Sequence, residues 1–139
     1  MACLCTVVPG DYTFCPLPRY ALSLPTMPET EPAYQVVLNT CPDIETARIL
    51  ADKIIDAGYA ACVNIVPGIE SVYRWQDEVV HDEELLLVIK THRDRYAQLE
   101  ELILQHHPYE LPEIIAVSIE AGLGDYLAWI GQSVGNHNV

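Results

Sequence analysis

The sequence predicts an α+β domain of βαββαβ order, closed by one extra helix at its C-terminal end. Three observations carry this. Four β-rich runs occupy residues 34–40, 60–75, 79–91 and 113–120. Stretches with apolar residues at helical spacing lie between the first and second runs and between the third and fourth. The two middle runs are joined only by Gln76-Asp77-Glu78, a polar hairpin signal. Two βαβ halves around a hairpin make the ferredoxin-like plait, one antiparallel sheet with two helices on one face.

The first run, Tyr34-Gln-Val-Val-Leu-Asn-Thr40, reads as a strand. Cys41-Pro42-Asp43 then opens a helix, because proline suits a first turn and Asp43 and Glu45 suit the positive helix end. Ala47, Leu50, Ala51 and Ile54 share its apolar face, and Gly58 stops it. The hairpin of residues 60–91 is the centre of the chain. Pro67-Gly68 interrupts its first arm without room for a helix, so a kink or bulge belongs there. In the second arm, residues 85–89 are apolar on both faces, as in a central strand covered on both sides, whereas residues 79–84 mix valine with charge. So long an arm needs a partner for its backbone edges, which points to assembly.

Residues 92–107 form the second helix, with Tyr96, Leu99, Leu102, Ile103 and His106 on one face, and Pro108 ends it. On this count His106 packs toward the apolar face and His107 lies nearer solvent. Residues 113–120 are the last strand. Gly122 and Gly124 break the chain, and Asp125 is placed to cap a final helix through Val134 whose apolar side is Tyr126, Leu127, Ile130 and Val134. Residues 1–33 hold six of the ten prolines and no periodic pattern, so they read as a disordered tail or an over-extended start, with Met27 an alternative to Met1. Residues 34–134 are the domain and 135–139 a short tail.

With 139 residues, half of them hydrophobic, one packed domain is expected. No apolar run approaches the roughly 20 residues that span a bilayer. Twenty acidic residues against seven scattered basic ones give a net charge of −13, which leaves neither nucleic acid nor an anionic membrane a basic footprint. Five cysteines, an odd number, argue against a disulfide framework and for a reducing compartment, the cytoplasm. Cys3-x-Cys5 lacks a second half at zinc-site spacing. Cys62, inside an apolar strand, reads as a small core residue.

The most specialised loop is His106-His107-Pro108-Tyr109-Glu110-Leu111-Pro112-Glu113. Adjacent helical histidines point about 100° apart, so two rings on one ion are awkward, and a helix-end role through the dipole competes with ligation. Lys90 sits in an apolar arm and needs a carboxylate or an anionic ligand, with Glu113 and Glu120 as candidates. Tyr73 and Trp75 share a face of the first arm and line either a cleft or an interface. No phosphate loop, nucleophile elbow or paired-histidine zinc helix is present, and no organic cofactor is evident.

The runs Ala60-Ala-Cys-Val-Asn-Ile-Val-Pro-Gly68, Ser71-Val-Tyr-Arg-Trp75, Ile89-Lys-Thr91, His106-His-Pro-Tyr109 and Pro112-Glu113, in that order, resemble the CutA family of divalent-cation tolerance proteins. Asp125-Tyr-Leu-Ala-Trp-Ile130 resembles its C-terminal helix motif. The resemblance implies a homotrimer whose long hairpin arms pair between subunits, an architecture shared with PII signalling proteins. It also implies copper(II) or another divalent metal, held by a cysteine at the end of the first strand and by histidine before Pro-Tyr. His106 and His107 match. The strand-end position is Asn39 here, with a cysteine two residues later at Cys41. In the hairpin turn Asp77 stands where the family often has glycine. The expected metal donors are therefore Cys41, His106 and His107.

The leading functional expectation is a trimeric copper-tolerance or metal-binding protein without catalytic activity. The alternatives are a PII-like small-ligand sensor with intersubunit clefts near Asn39, Tyr73, Trp75, Lys90 and Glu113, and a structural trimer acting as an interaction module. An enzyme with the lysine, aromatics and glutamate around a small substrate is a further alternative.

Overall fold

The computed structural model describes residues 33–135. The expected N-terminal tail, apart from residue 33, and residues 136–139 of the short C-terminal tail lie outside the described residues. The described chain runs β1 (Tyr34–Cys41), α1 (Ile44–Asp56), β2 (Cys62–Trp75), β3 (Glu78–His92), α2 (Tyr96–His106), β4 (Ile115–Ser118) and α3 (Gly124–Ser133), with a 3-10 turn at Arg93–Arg95. The four strands form one sheet in the order β2-β3-β1-β4, and every neighbouring pair is antiparallel. Two split βαβ units produce this order, as the element sequence predicts.

Strand parity decides what each face does. Val37, Asn39 and Cys41 of β1 stand opposite Ile89, Leu87 and Leu85 of β3. That face packs under α1, through Ala47, Leu50 and Ile54, and under α2, through Leu99 and Ile103. All five helix residues are fully buried. The opposite parity has Val36, Leu38, Leu86 and Val88 half-buried, and Thr40, Glu84 and Lys90 buried. At one end it carries α3, where Gly131 sits so close to Tyr34 that a Cβ would stand 3.0 Å from the phenol oxygen. Cys62, of this parity, lies beside Tyr126 of α3 and is half-buried, not a core residue.

Local chemistry sets the boundaries. Asp43 caps α1 by accepting from the Thr46 N–H at 2.7 Å and from its hydroxyl at 3.1 Å. Gly58, at φ +68°, ends that helix in the left-handed conformation glycine tolerates. Trp75 pairs with Glu78, leaving Gln76 and Asp77 as a two-residue turn with positive φ at both positions, the signature of a type I′ hairpin. Asp77 fills a slot that favours Asn, Asp or Gly. The pairing shifts by one residue between Val66 and Ile69, so Pro67-Gly68 makes the expected bulge, with Gly68 at φ +77°.

Three further expectations change. The second helix covers Tyr96–His106, not 92–107, because His92 ends β3, Arg93–Arg95 form the 3-10 turn and Pro108 keeps His107 extended. The last strand covers Ile115–Ser118, not 113–120, because Pro112 and the residues around it follow the loop. Asp125 does not cap α3: Leu123 holds the cap position without a side-chain bond, and Asp125 lies in the first turn, where its charge still suits the helix dipole.

Candidate functional site

The polar residues gather at the end of the sheet where β1 leaves for α1 and where the loop after α2 returns. Cys41 ends β1 fully buried, and its thiol donates to Asn39 Oδ1 at 3.4 Å. Asn39, also fully buried, donates through Nδ2 to the backbone oxygen of Glu113 at 2.8 Å, tying the far end of the loop to β1.

His107 is the residue that the loop delivers to this corner. Pro108 follows it, and the clash with the proline ring pushes the preceding residue out of the helical region toward an extended backbone. His107 accordingly has φ −77° and ψ 139°. That extended backbone turns its side chain inward, and only 9 % of the residue is exposed. Its Nδ1 accepts from the Tyr109 N–H at 3.1 Å, so Nε2 carries the proton and donates to the Thr40 carbonyl at 2.8 Å. Nε2 lies 4.0 Å from Cys41 Sγ. The helical count that put His106 inside and His107 outside is thus reversed. His106 is the last helical residue, exposed, with Nδ1 bound to the Leu102 carbonyl of its own helix at 2.9 Å.

A second set of groups adjoins the first. Glu84 is 7 % exposed and accepts from Ser71 Oγ at 2.5 Å and from Tyr109 Oη at 3.0 Å. The carboxylate therefore clamps the loop to both hairpin strands. Further along the arm Tyr73 donates to Asp82 at 2.5 Å. Burial, reinforced by the negative charges of Asp43 and Glu84, pushes the Cys41 thiol up to about 12. Burial and the bond to Glu84 push Tyr109 up to about 12. Asp43 is held below the usual carboxylate range by the Thr46 N–H.

Of the residues expected in the site, Cys41, His107 and Asn39 come together, with Glu113 joining through its backbone. Lys90 does not join them. Its parity places it on the opposite sheet face, where Nζ donates to Asn64 Oδ1 and to the Val88 carbonyl at 2.9 Å. Its partner is an amide, not the expected Glu113 or Glu120. Tyr73 and Trp75 project from the exposed half of the hairpin, 44 % and 62 % exposed. Sequence reading missed Glu84 and Ser71. The available signal was the last of three consecutive acidic residues, Asp82-Glu83-Glu84, at the junction of the charged and apolar halves of β3, but its partners depend on the bulge register.

Among the described residues no group of three His, Cys, Asp or Glu side chains is close enough to hold a metal ion. The Cys41–His107 pair offers two donors, one sulfur and one nitrogen. Sulfur at about 2.3 Å and imidazole nitrogen at about 2.0–2.1 Å on a tetrahedral ion stand roughly 3.6 Å apart. The pair at 4.0 Å needs a shift of a few tenths of an ångström to meet that spacing.

The family model for the CutA1 divalent ion tolerance protein matches residues 35–133. The divalent-cation tolerance protein CutA of Thermus thermophilus is 48 % identical over 101 residues, 73 % of this chain and 98 % of that protein. The chloroplastic protein CutA of Arabidopsis thaliana is 46 % identical over 101 residues, 73 % of this chain and 56 % of that one. The solved structure of a Thermus thermophilus divalent cation tolerance protein superposes with a TM-score of 0.72 at 47 % identity, covering 73 % of this chain and 99 % of that one. The matched span, the identity and the superposition agree, and the chain belongs to the CutA1 family of divalent ion tolerance proteins.

Proposed function

We propose that this protein is a homotrimeric, non-catalytic divalent-cation-binding protein that takes copper(II), or another divalent metal, at Cys41 and His107. The observation that carries this reading is the 4.0 Å approach of Cys41 Sγ to His107 Nε2. Thiolate and imidazole are good copper donors, and copper heads the divalent affinity order. The thiol must lose a proton that burial holds to about 12, and Nε2 must give up its bond to Thr40. Binding is therefore weak to moderate, releases protons and strengthens as pH rises. His106 stays outside the set. Assembly is supported by the far half of the hairpin, where Val72, Trp75 and Val79 are 56 %, 62 % and 59 % exposed. Free Cys41 and Cys62 suit a reducing compartment such as the cytoplasm.

The test is calorimetric copper titration of wild type, Cys41→Ser, His107→Ala and His106→Ala. Cys41→Ser and His107→Ala should each lose at least tenfold in affinity, and His106→Ala should bind as wild type does. Equal binding by all four proteins would refute the assignment.

A further inference from the structure

The end of the sheet far from Cys41 carries a cavity of its own. Tyr34 and His92 stand opposite each other on β1 and β3, seven residues along β1 from Cys41. At the strand rise that is roughly 23 Å. With Asp94, Arg95, Gly131 and Val134 they line a cavity of about 240 Å³ against the last turn of α3. That volume is ample for water and below the roughly 300–1,000 Å³ that holds a drug-sized ligand, so it suits a small molecule.

Arg95 gives the cavity its chemistry. It is half-buried, and its guanidinium lies along the backbone of Gly135, where an added Cβ would meet Nη2 and stand 3.1 Å from Cζ. Among the described residues that guanidinium makes no hydrogen bond and no ion pair. The neighbouring acid, Asp94, lies 3.5 Å from His92 Nδ1 instead. The C-terminal end of α3 offers partial negative charge, but none of its carbonyls accepts from Arg95. In a chain with 20 acidic residues and 7 basic, a cation without a carboxylate is the exception. A lone surface arginine is ordinarily just solvated. Here other donors line the same cavity. The Tyr34 hydroxyl has no protein partner among the described residues and stands 3.0 Å from where a Cβ on Gly131 would be. His92 Nδ1 accepts from the Asp94 N–H at 3.2 Å, so the ring's own donor is Nε2–H. Three side-chain donors thus face one carboxylate, Asp94, whose side chain is 77 % exposed.

We propose that this cavity binds a small carboxylate, a monoanion whose charged end takes the Arg95 fork and the Tyr34 hydroxyl and whose short apolar body rests on Val134 and the Tyr34 ring. A guanidinium matches a carboxylate with two parallel, charge-assisted hydrogen bonds. Phosphate also fits a guanidinium, but as a dianion it brings a second charge toward Asp94, and a carboxylate brings only one. The apolar walls favour a ligand with a hydrocarbon part over a bare ion. The site requires no metal and shares no residue with the Cys41–His107 pair.

The experiment is a titration of the full chain, freed of metal on a chelating resin, followed by nitrogen–proton correlation spectra in a buffer without carboxylate. The probes are butyrate, benzoate, butyramide and inorganic phosphate. Both carboxylates should give saturable shifts at the Arg95 Nε–H and at the amides of Gly131 and Gly135. They should bind about tenfold or more tighter than butyramide, and tighter than phosphate. Arg95→Gln should weaken both carboxylates about tenfold or more without changing butyramide. Asp94→Asn should tighten them, because it removes the negative charge that lines the cavity. Butyramide equal to butyrate, phosphate tighter than both carboxylates, or carboxylate binding unchanged in Arg95→Gln overturns the proposal. Should Arg95→Gln fail to fold, the comparison of butyrate with butyramide on wild type decides alone. Because the titration is free of metal, failure here leaves the copper reading standing, and failure of the copper titration leaves this one standing.

Discussion

Replacing Cys41 by alanine should flatten the alkaline fall in stability. In the folded protein burial and the nearby Asp43 and Glu84 raise the thiol from 9.0 to about 12. The sign follows from proton linkage. Between those values the unfolded chain has released the proton and the folded chain still holds it, so stability declines as pH rises. The contribution is complete below about pH 9. At 1.36 kcal/mol per pH unit, about 2 kcal/mol is lost by pH 10.5 and on the order of 4 kcal/mol by pH 12. Tyr96 and Tyr109, both raised from 10.0 to about 12, add losses of the same sign above pH 10. Those losses occur in wild type and variant alike and cancel in the difference. The assay is urea unfolding of both proteins at pH 7.5, 9 and 10.5, with reductant and chelator and at one protein concentration. The small cavity left by alanine lowers the variant at every pH. The gap between the two proteins should close by about 2 kcal/mol between pH 7.5 and 10.5. Parallel stability profiles would refute the reasoning, because they would show that the native thiol ionises as readily as the unfolded one.

Leu50→Ala should cost about 3–5 kcal/mol in chemical denaturation, since Leu50 is fully buried in the cluster under α1 and its truncation leaves a cavity; a loss below about 1 kcal/mol would mean that the core collapses around the gap. Sedimentation equilibrium at low micromolar concentration should return the mass of three chains, and a monomer there would remove the assembly reading.

Much of the frame was legible because it rests on local rules. Pro67-Gly68 announced a bulge, Gly58 a helix stop and Asp43 a helix start, and each acts through backbone geometry that the sequence states directly. The site was less legible because its contacts depend on register. One extra residue in β2 fixes Glu84 opposite Ile69 and Ser71 opposite Asp82, which brings Ser71 within reach of the Glu84 carboxylate. Without that shift no count along the chain would join Ser71 to Glu84. Lys90 is the same case: its parity, set by pairing with Val36 and Cys62, turned it toward Asn64 and away from the acidic residues of the loop.

The histidine pair shows how two rules compete at one position. Helical periodicity extends the Leu99–Ile103 stripe to His106 and assigns that ring to the interior. The proline rule acts one residue later, removes His107 from the helix and swings its ring to Thr40 and Cys41. The steric clash before proline disfavours a helical backbone, whereas periodicity weakens at a helix end where the last turn has no following turn to pack against. The stronger constraint therefore decides which imidazole meets the thiol. It also explains why two histidines in sequence supply only one donor to the candidate site: the other has already been committed to a carbonyl of its own helix.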